Sequence, residues 1–455
     1  MLLSLFDANT CSIKTFNMTA DILITNAFIV TIDKEYTIIE NGAIAIANGK
    51  IIDIGENALS ETYTATKVID AKGNIVMPGL INSHTHIPMT IFRGMADDMP
   101  LQKWLNEFIF PAEAKFLNAE NVKIGAEIAI HEMIRFGTTC FADMYYFEND
   151  IAKLCEEIGI RCVLSEGILD FPVPNNPTPQ HALDFTEQQI LTYKNSQLIN
   201  FAVGPHSPYT CSEEWLIKAR ALANKYDVPF HIHLSETSYE YEQSIENKGL
   251  TPLQYLNKIG CLDGKTIAAH CVYFSEEDVA LMVQKNVSVV NNPQSNLKLV
   301  SGVAPIPFMQ KAGGNVALGT DGVVSNNSLD MFTEMKVAAL IHKLNHHDPT
   351  AGNARDIITM ATINGAKALG LDSITGSLEI GKCADMIIID INQAHTQPLY
   401  NAYSQIVYSL NGNDVDSVII DGKIVLENKN FCFGNVDNAI SRIKTLAKEI
   451  KTAFN

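Results

Sequence analysis

Two His-x-His patterns stand out among the chain's 12 histidines: His84-Thr85-His86 and His231-Ile232-His233. In a strand, residues i and i+2 share a face, so either pair can turn two imidazoles toward one ion. One such pair alone is weak evidence, because paired core and surface histidines are common. Two further groups add weight: His270, and Asp321 in Gly319-Thr-Asp-Gly. Taken singly, His270 reads as a hydrogen-bonded core histidine and Asp321 as a turn former. Taken together, neutral imidazoles and a carboxylate are the donor set expected for zinc or a similar divalent ion.

The chemistry follows from those donors. A single ion held by His84, His86, His233 and Asp321 leaves an open position, where it would lower the pKa of a water to ~7. A binuclear centre would call for a bridging lysine on a middle strand, and neither Arg161–Ile168 nor Asn200–His206 contains one. Glu236, three residues past His233, can reach both water and substrate and is assigned the proton shuttle. His270 would orient the nucleophile or stabilise charge at the reacting carbon. Asp321 would bind the ion and accept the water's proton.

These residues must be brought together by the fold, and the surrounding pattern says how. From about Ile75 to Leu371, apolar strand-like runs alternate with amphipathic stretches of helical length, the mark of βα units. Eight runs are readable: 75–86, 138–144, 161–168, 200–206, 228–236, 266–272, 287–293 and 315–321. Eight units predict an α/β fold with a closed (β/α)8 barrel, whose sites lie at the C-terminal rim of the strands. His84, His86, Asp143, Glu166, His206, His233, Glu236, His270 and Asp321 all fall at or just past such ends. A dinucleotide-binding open sheet is disfavoured, since no Gly-x-Gly-x-x-Gly follows the first run. Short strands at 18–74 and 375–435 are each too small for a core of their own and are expected to combine into one β-sandwich around the 75–374 barrel. Residues 1–17 read as a disordered extension. Residues 436–455 read as an amphipathic helix, packed on the body or covering a subunit interface.

Composition narrows the partners. With 33 Lys+Arg against 51 Asp+Glu, the formal charge of −18 offers no footprint for nucleic acid or an anionic membrane surface. A neutral or cationic small molecule fits better. Nine scattered cysteines without a Cys-x-x-Cys pair read as reduced core thiols, and no apolar run is long enough for export, which places the protein in the cytoplasm. Base rates favour a homo-oligomer.

Pro78-Gly-Leu-Ile-Asn-Ser-His-Thr-His, His231-Ile-His-Leu-Ser-Glu-Thr, Gly319-Thr-Asp-Gly and Gly381-Lys-Cys-Ala-Asp-Met resemble the amidohydrolase superfamily over about residues 20 to 435. Within it, Phe92-Arg-Gly-Met-Ala-Asp-Asp, Leu101-Gln-Lys-Trp-Leu, Gly204-Pro-His-Ser-Pro-Tyr and Ser295-Asn-Leu-Lys-Leu are similar to the 5'-methylthioadenosine/S-adenosylhomocysteine deaminases. The resemblance implies zinc-dependent hydrolytic deamination of a 6-aminopurine nucleoside, with one Zn2+ per subunit; iron or manganese would suit the same donors. It also implies His84, His86, His233 and Asp321 as ligands and Glu236 and His270 as catalytic partners. Trp104 would pack on the nucleoside, Glu113 accept ribose hydroxyls, His206 bond the nucleoside, and Ser325 assist at the purine edge. Related enzymes acting on guanine, a pterin or a triazine share much of this grammar, but a ribose-binding Glu113 serves only a nucleoside. A catalytically silent scaffold would be expected to have lost ligands, and every position here is filled.

One departure bears on substrate choice. The resemblance leads one to expect arginines after the third barrel strand to hold the carboxylate of S-adenosylhomocysteine. That place reads Leu164-Ser-Glu-Gly-Ile-Leu-Asp, and no arginine occurs between Arg161 and Arg220. Glu166 would repel a carboxylate if it faced the pocket. The expectation is therefore a preference for methylthioadenosine or adenosine. His342, His346 and His347 are read as exposed or helix-pairing residues, and Asp97-Asp98 as capping or solvating a lid loop.

Overall fold

The structure, a computed structural model, describes residues 18–95, 97–99 and 103–454, without the side chains of residues 104–106. The segment 1–17, expected to be disordered, lies outside the described residues. Five strands come from the start of the chain: β1 (Met18–Val30), β2 (Ile38–Ala47), β3 (Lys50–Glu56), β4 (Tyr63–Asp70) and β5 (Ile75–Pro78). The first half of β1 pairs with β4 and its second half with β5. Between them, Asn26 adopts φ +52° and the register against β2 shifts, which bends the strand from one layer into the next.

The barrel follows as β6 (Leu80–Thr85), β7 (Thr138–Tyr145), β8 (Arg161–Ile168), β9 (Ile199–Phe201), β10 (Gly204–Pro205), β11 (Phe230–Leu234), β12 (Thr266–His270), β13 (Val287–Asn291) and β14 (Val316–Leu318). β9 and β10 are two pieces of one stave, so all eight predicted runs are present. The expected first run divides in two. Ile75–Pro78 pairs with the flanking sheet, and only Leu80–Thr85 enters the barrel. The change happens at Gly79, where a Cβ would lie 2.1 Å from Thr139. Only glycine lets the chain cross there.

Neighbouring staves pair in parallel, and two seams close the ring. At one, Val203 N donates to Pro229 O (2.9 Å) and His231 N to Val203 O (2.9 Å); at the other, Asp321 N donates to His84 O (2.9 Å). Asn82 reinforces the second seam through Thr320, donating to its Oγ1 (2.7 Å) and accepting from its N (2.9 Å). Ile81, Cys140, Ala142, Val163, Ala202, Ile267, Val290 and Ala317 fill the interior. The helix Ile363–Leu369 plugs the N-terminal mouth, where Asn364 Nδ2 donates to Val316 O (3.0 Å).

The chain end returns as β15 (Met386–Ile389), β16 (Val415–Ile420), β17 (Lys423–Glu427) and β18 (Asn430–Phe431), extending the first sheet through β5. Ile22, Ile24, Ile29, Ile44, Ile46, Val76, Met386, Ile388 and Ile419 form the shared core, as expected for a unit built from both chain ends. The final helix Val436–Phe454 packs on the helix Ala119–Arg135, burying Ala439, Leu446 and Ile450 and pairing Arg442 with Glu127 at 2.8 Å. Ile440 and Phe454 of the same helix stay more than a third exposed. Among the described residues, no helix is long and apolar enough to cross a membrane, and of the eight cysteines only Cys432 is exposed.

A buried ion pair ties barrel to sheet. Arg161, at the start of β8, donates to Asp385 through Nε (2.7 Å) and Nη2 (3.2 Å), with both side chains fully buried. Asp385 Oδ1 also accepts from Asp421 N (2.7 Å), in the turn of the β16–β17 hairpin. That turn abuts the Asn48-Gly49 turn of the β2–β3 hairpin, where a Cβ on Gly422 would lie 2.6 Å from Gly49 Cα. The Asp385→Asn variant leaves the buried guanidinium with only the more distant and partly exposed Asp421 carboxylate, at 3.6 Å, a loss of about 3 kcal/mol. Urea denaturation is expected to show a midpoint lowered accordingly; a shift worth under about 0.5 kcal/mol, the scale of a neutral surface change, would contradict the assigned role.

Candidate metal centre and active site

Barrel closure brings the ends of β6, β11, β12 and β14 to one point. On β6, a register shift between Asn82 and Thr85 re-aims the strand end, and the rings of His84 and His86 stand with centroids 4.9 Å apart. His233, at the end of β11, places Nε2 3.3 Å from His86 Nε2. Asp321 Oδ1 lies 3.2 Å from His86 Nε2 and 3.5 Å from His84 Nε2. The ligating atoms of His84, His233 and His270 also fall within 4.8 Å of one another.

The orientation of each ring suits a cation. His86 Nδ1 donates to Met144 O (2.5 Å) and His233 Nδ1 to His206 O (2.8 Å), which leaves each Nε2 lone pair facing the centre. His84 Nδ1 lies 3.0 Å from His231 Nε2, and His231 Nδ1 lies 3.2 Å from Ser165 Oγ. Read as successive donations, that chain also turns a lone pair of His84 inward. His84 Nε2 is buried and has no hydrogen-bond partner. Lone pairs and a carboxylate oxygen facing each other across 3.2–3.5 Å repel unless a cation sits among them. That spacing matches the edge of a tetrahedron with bonds of ~2.0–2.1 Å, so the group fits a divalent ion.

Backbone strain delivers the flanking groups. Ser235, His270, Cys271 and Asp321 all have positive φ, at +50°, +73°, +49° and +63°. Such conformations in non-glycine residues concentrate where a side chain must be turned against the run of its strand. Glu240 supports the first of these turns, its carboxylate accepting from Ser235 N and Glu236 N at 2.9 Å each. Glu236 Oε2 then stands 3.9 Å from His270 Nε2, and burial pushes its carboxyl above the ordinary range. Asp321 Oδ2 accepts from Ser295 Oγ (2.6 Å), while Gly322 N holds Oδ1 (2.7 Å).

A cavity of about 340 Å³ opens on this cluster, lined by His86, His206, His233, Glu236, His270 and Asp321. Glu113 and Ser325 also line it. Glu113 is buried, accepts from the Tyr145 hydroxyl at 2.6 Å, and is raised by burial to about 7. Burial lowers His206 to about 3, so it is neutral, with Nδ1 2.9 Å from Thr210 Oγ1. The Ser325 hydroxyl lies 2.9 Å from Asp321 Oδ2, so it supports that carboxylate as well as facing the cavity. The side chain of Trp104 lies outside the described residues.

Three sequence readings change. Glu166 does not line the cavity; Asn175 and Asn176 hold its Oε1 (2.8 and 2.6 Å) and Glu148 N its Oε2 (3.1 Å). His342, read as exposed or helix-pairing, is fully buried against Asn291, because its helix Met331–His346 turns that face to β13. Asp97 is an anchor, ion-paired with Lys298 at 2.5 Å. His231, which its spacing allowed to face the ion beside His233, meets His84 Nδ1 instead, and Ser295 and Asn296 carried no assigned role, since nothing in their spacing says which ring nitrogen or carboxylate they meet. Replacing His231 by Phe removes the acceptor of His84 Nδ1–H, and divalent-metal affinity is expected to fall about 10–100-fold. Chelator competition measures this, and an unchanged affinity would remove His231 from the centre.

Comparison with known proteins agrees with this architecture. The chain is 44% identical over 433 residues to a 5-methylthioadenosine/S-adenosylhomocysteine deaminase of Syntrophobacter fumaroxidans, covering 95% of this chain and 99% of that protein. It is 43% identical over 438 residues to a 5'-deoxyadenosine deaminase of Methanosarcina acetivorans, covering 96% and 100%. Among solved structures, a zinc-bound adenosine deaminase from Xanthomonas campestris superposes with a TM-score of 0.94 at 35% identity, covering 96% of this chain and 99% of that one. The amidohydrolase family model matches residues 75–425, the whole barrel and most of the returning sheet, and the chain belongs to that family.

Proposed function

We propose that this protein is a zinc-dependent aminohydrolase that converts a 6-aminopurine nucleoside to its 6-oxo counterpart and ammonia. The observation that carries the reading is one cavity lined by His86, His233 and Asp321, which cluster with the buried His84, together with Glu236 and the buried carboxyl of Glu113. The first set is suited to water addition at a ring carbon. Glu113 is suited to a sugar hydroxyl. The volume of about 340 Å³ is at the small end of the ~300–1,000 Å³ range for small-molecule sites.

The ion, when bound by those four residues, acidifies a water and so supplies the nucleophile near neutral pH. Glu236 carries protons: its carboxylate takes one from the attacking water, hands it to the purine ring nitrogen, and later protonates the departing amine. A raised affinity for protons, caused by burial, suits a group that must give as well as take. His270 holds the nucleophile opposite Glu236 and stabilises the charge that develops on the oxygen. Asp321 accepts the water's other proton as the carbonyl forms, and that proton is the one Glu236 delivers to the departing amine, so the two protons of water end on the ring nitrogen and in ammonia. Glu113 and His206 hold the nucleoside, and Ser325 steadies Asp321 at the purine edge.

The 5' substituent is uncharged in this reading. Among the described residues, no lysine or arginine lines the cavity, and Gly167, at the end of the third stave, and Leu169 and Phe171, just after it, line it. A thioether or a deoxy carbon suits such walls. A zwitterionic amino acid finds no partner for its carboxylate there. Glu166 is held away from the cavity by Asn175 and Asn176, so it is the lack of a cationic side chain in the described lining that disfavours a carboxylate there.

Ammonia release by zinc-loaded protein tests the reading, with methylthioadenosine, 5'-deoxyadenosine, adenosine, S-adenosylhomocysteine and guanine side by side. Release from the nucleosides with an uncharged 5' group, at a higher kcat/KM than for S-adenosylhomocysteine, is expected. Release from guanine alone would refute the nucleoside assignment. Glu236→Gln is expected to keep its metal and lose about 10²–10⁴-fold in kcat, whereas Asp321→Ala loses metal and activity together. A Glu236→Gln enzyme of near-normal rate would end the shuttle role.

A further inference from the structure

His342 is a titratable group that the mechanism leaves unused, fully buried behind the active site on the helix Met331–His346. Its Nε2 lies 3.0 Å from Asn291 Nδ2, on the last residue of β13. Its Nδ1 is buried and has no partner. A second orphan stands nearby: Asn296 Oδ1 is buried and unpartnered, while Asn296 Nδ2 lies 3.0 Å from His270 Nδ1. His342, Asn291 and Asn296 line one small cavity of about 10 Å³, with Pro293, Leu297 and Ile341 among its apolar walls. That is about the room a single water requires, and a water there meets polar partners.

The two orphans are complementary. If Asn291 donates to His342 Nε2, the neutral His342 ring carries its proton on Nδ1 and has a donor to place. Asn296 Oδ1 is an acceptor to match. A water between them accepts from His342 and donates to Asn296. The Asn296 amide, so oriented, donates through Nδ2 to His270 Nδ1, which must then be unprotonated. The His270 proton is left on Nε2.

Electrostatics at the other end of the ring favour the same assignment. His270 Nε2 faces Glu236 Oε2 at 3.9 Å, within the cavity that Asp321 also lines. An N–H directed at carboxylates is favourable, and a lone pair directed at them is not. The opposite ordering of the chain, with both amides reversed, would put that lone pair toward Glu236.

We propose that His342, Asn291 and Asn296, joined by one buried water, form a relay that holds His270 in its Nε2–H tautomer. His342 and Asn296 are thereby positioning residues for the reaction. His270 then presents a hydrogen-bond donor to the reacting oxygen. The proposal rests on the aminohydrolase reading for its kinetic consequence. Its structural content stands apart from that reading.

The test therefore begins without substrate. Isotope-labelled histidine NMR of the metal-loaded protein, assigned with His270→Gln and His342→Gln, reports which ring nitrogen carries the proton. The expected result is Nε2–H for His270 and Nδ1–H for His342, and a high-resolution crystal structure is expected to show one water between His342 Nδ1 and the Asn296 amide. A proton on His270 Nδ1, or a dry cavity, would overturn the relay even if every nucleoside were turned over. Conversely, the expected tautomers in a protein that releases no ammonia would leave the relay standing and remove the aminohydrolase reading. In kinetics, His342→Leu is expected to lower kcat about tenfold at unchanged KM and metal content, and His342→Gln, which keeps a donor, to recover most of it. Asn296→Asp, whose carboxylate draws the proton to His270 Nδ1, is expected to lower kcat further and to switch the His270 tautomer. A fall in thermal stability with kcat intact in all three variants would show that these residues serve packing alone.

Discussion

The site depends on the closing seam of the barrel, where Asp321 N donates to His84 O at 2.9 Å. That bond joins the last stave to the first, and its two residues are the carboxylate and imidazole most remote in sequence within the cluster. Closing the sheet and assembling the centre are the same event. The Asn82–Thr320 pair fixes the register at this seam, and a slip of one residue would turn the alternating side chains to the opposite face. Arg161 and Asp385 secure the opposite end of the barrel against the flanking sheet.

Convergence has energetic consequences that the fold absorbs. Four non-glycine residues at the rim have left-handed backbone, each a departure worth about 1–3 kcal/mol. Imidazoles and carboxylates are withdrawn from water at the same place. The opposing terms are local: Glu240 supports the Ser235 turn, Ser295 and Gly322 hold Asp321, and backbone carbonyls of Met144 and His206 hold His86 and His233. Every ring has an assigned outer contact, so a bound cation would find its donors already oriented.

Much of this was legible in the sequence because strand periodicity and rim position are local signals. The eight runs were readable as alternating βα units, and the cluster residues were readable as polar groups at strand ends where a barrel interior would reject them. The failures share a physical cause. Ile75–Pro78 and Leu80–Thr85 form one continuous apolar run, and only the close approach of Gly79 to Thr139 reveals the break. Glu166 sits at a strand end like Asp143, yet Asn175 and Asn176 capture it from a later loop. His342 looks like its helical neighbours until the helix is rotated against β13. Contacts between distant segments decide such cases, and single-chain patterning carries no record of them.

The most direct test of the central claim is anomalous scattering at the zinc edge from crystals of zinc-loaded protein. One peak is expected, in contact with His84, His86 and His233 Nε2 and with Asp321 Oδ1. No peak at the rim, or a pair of peaks sharing these ligands, would contradict a mononuclear centre built at the closing seam.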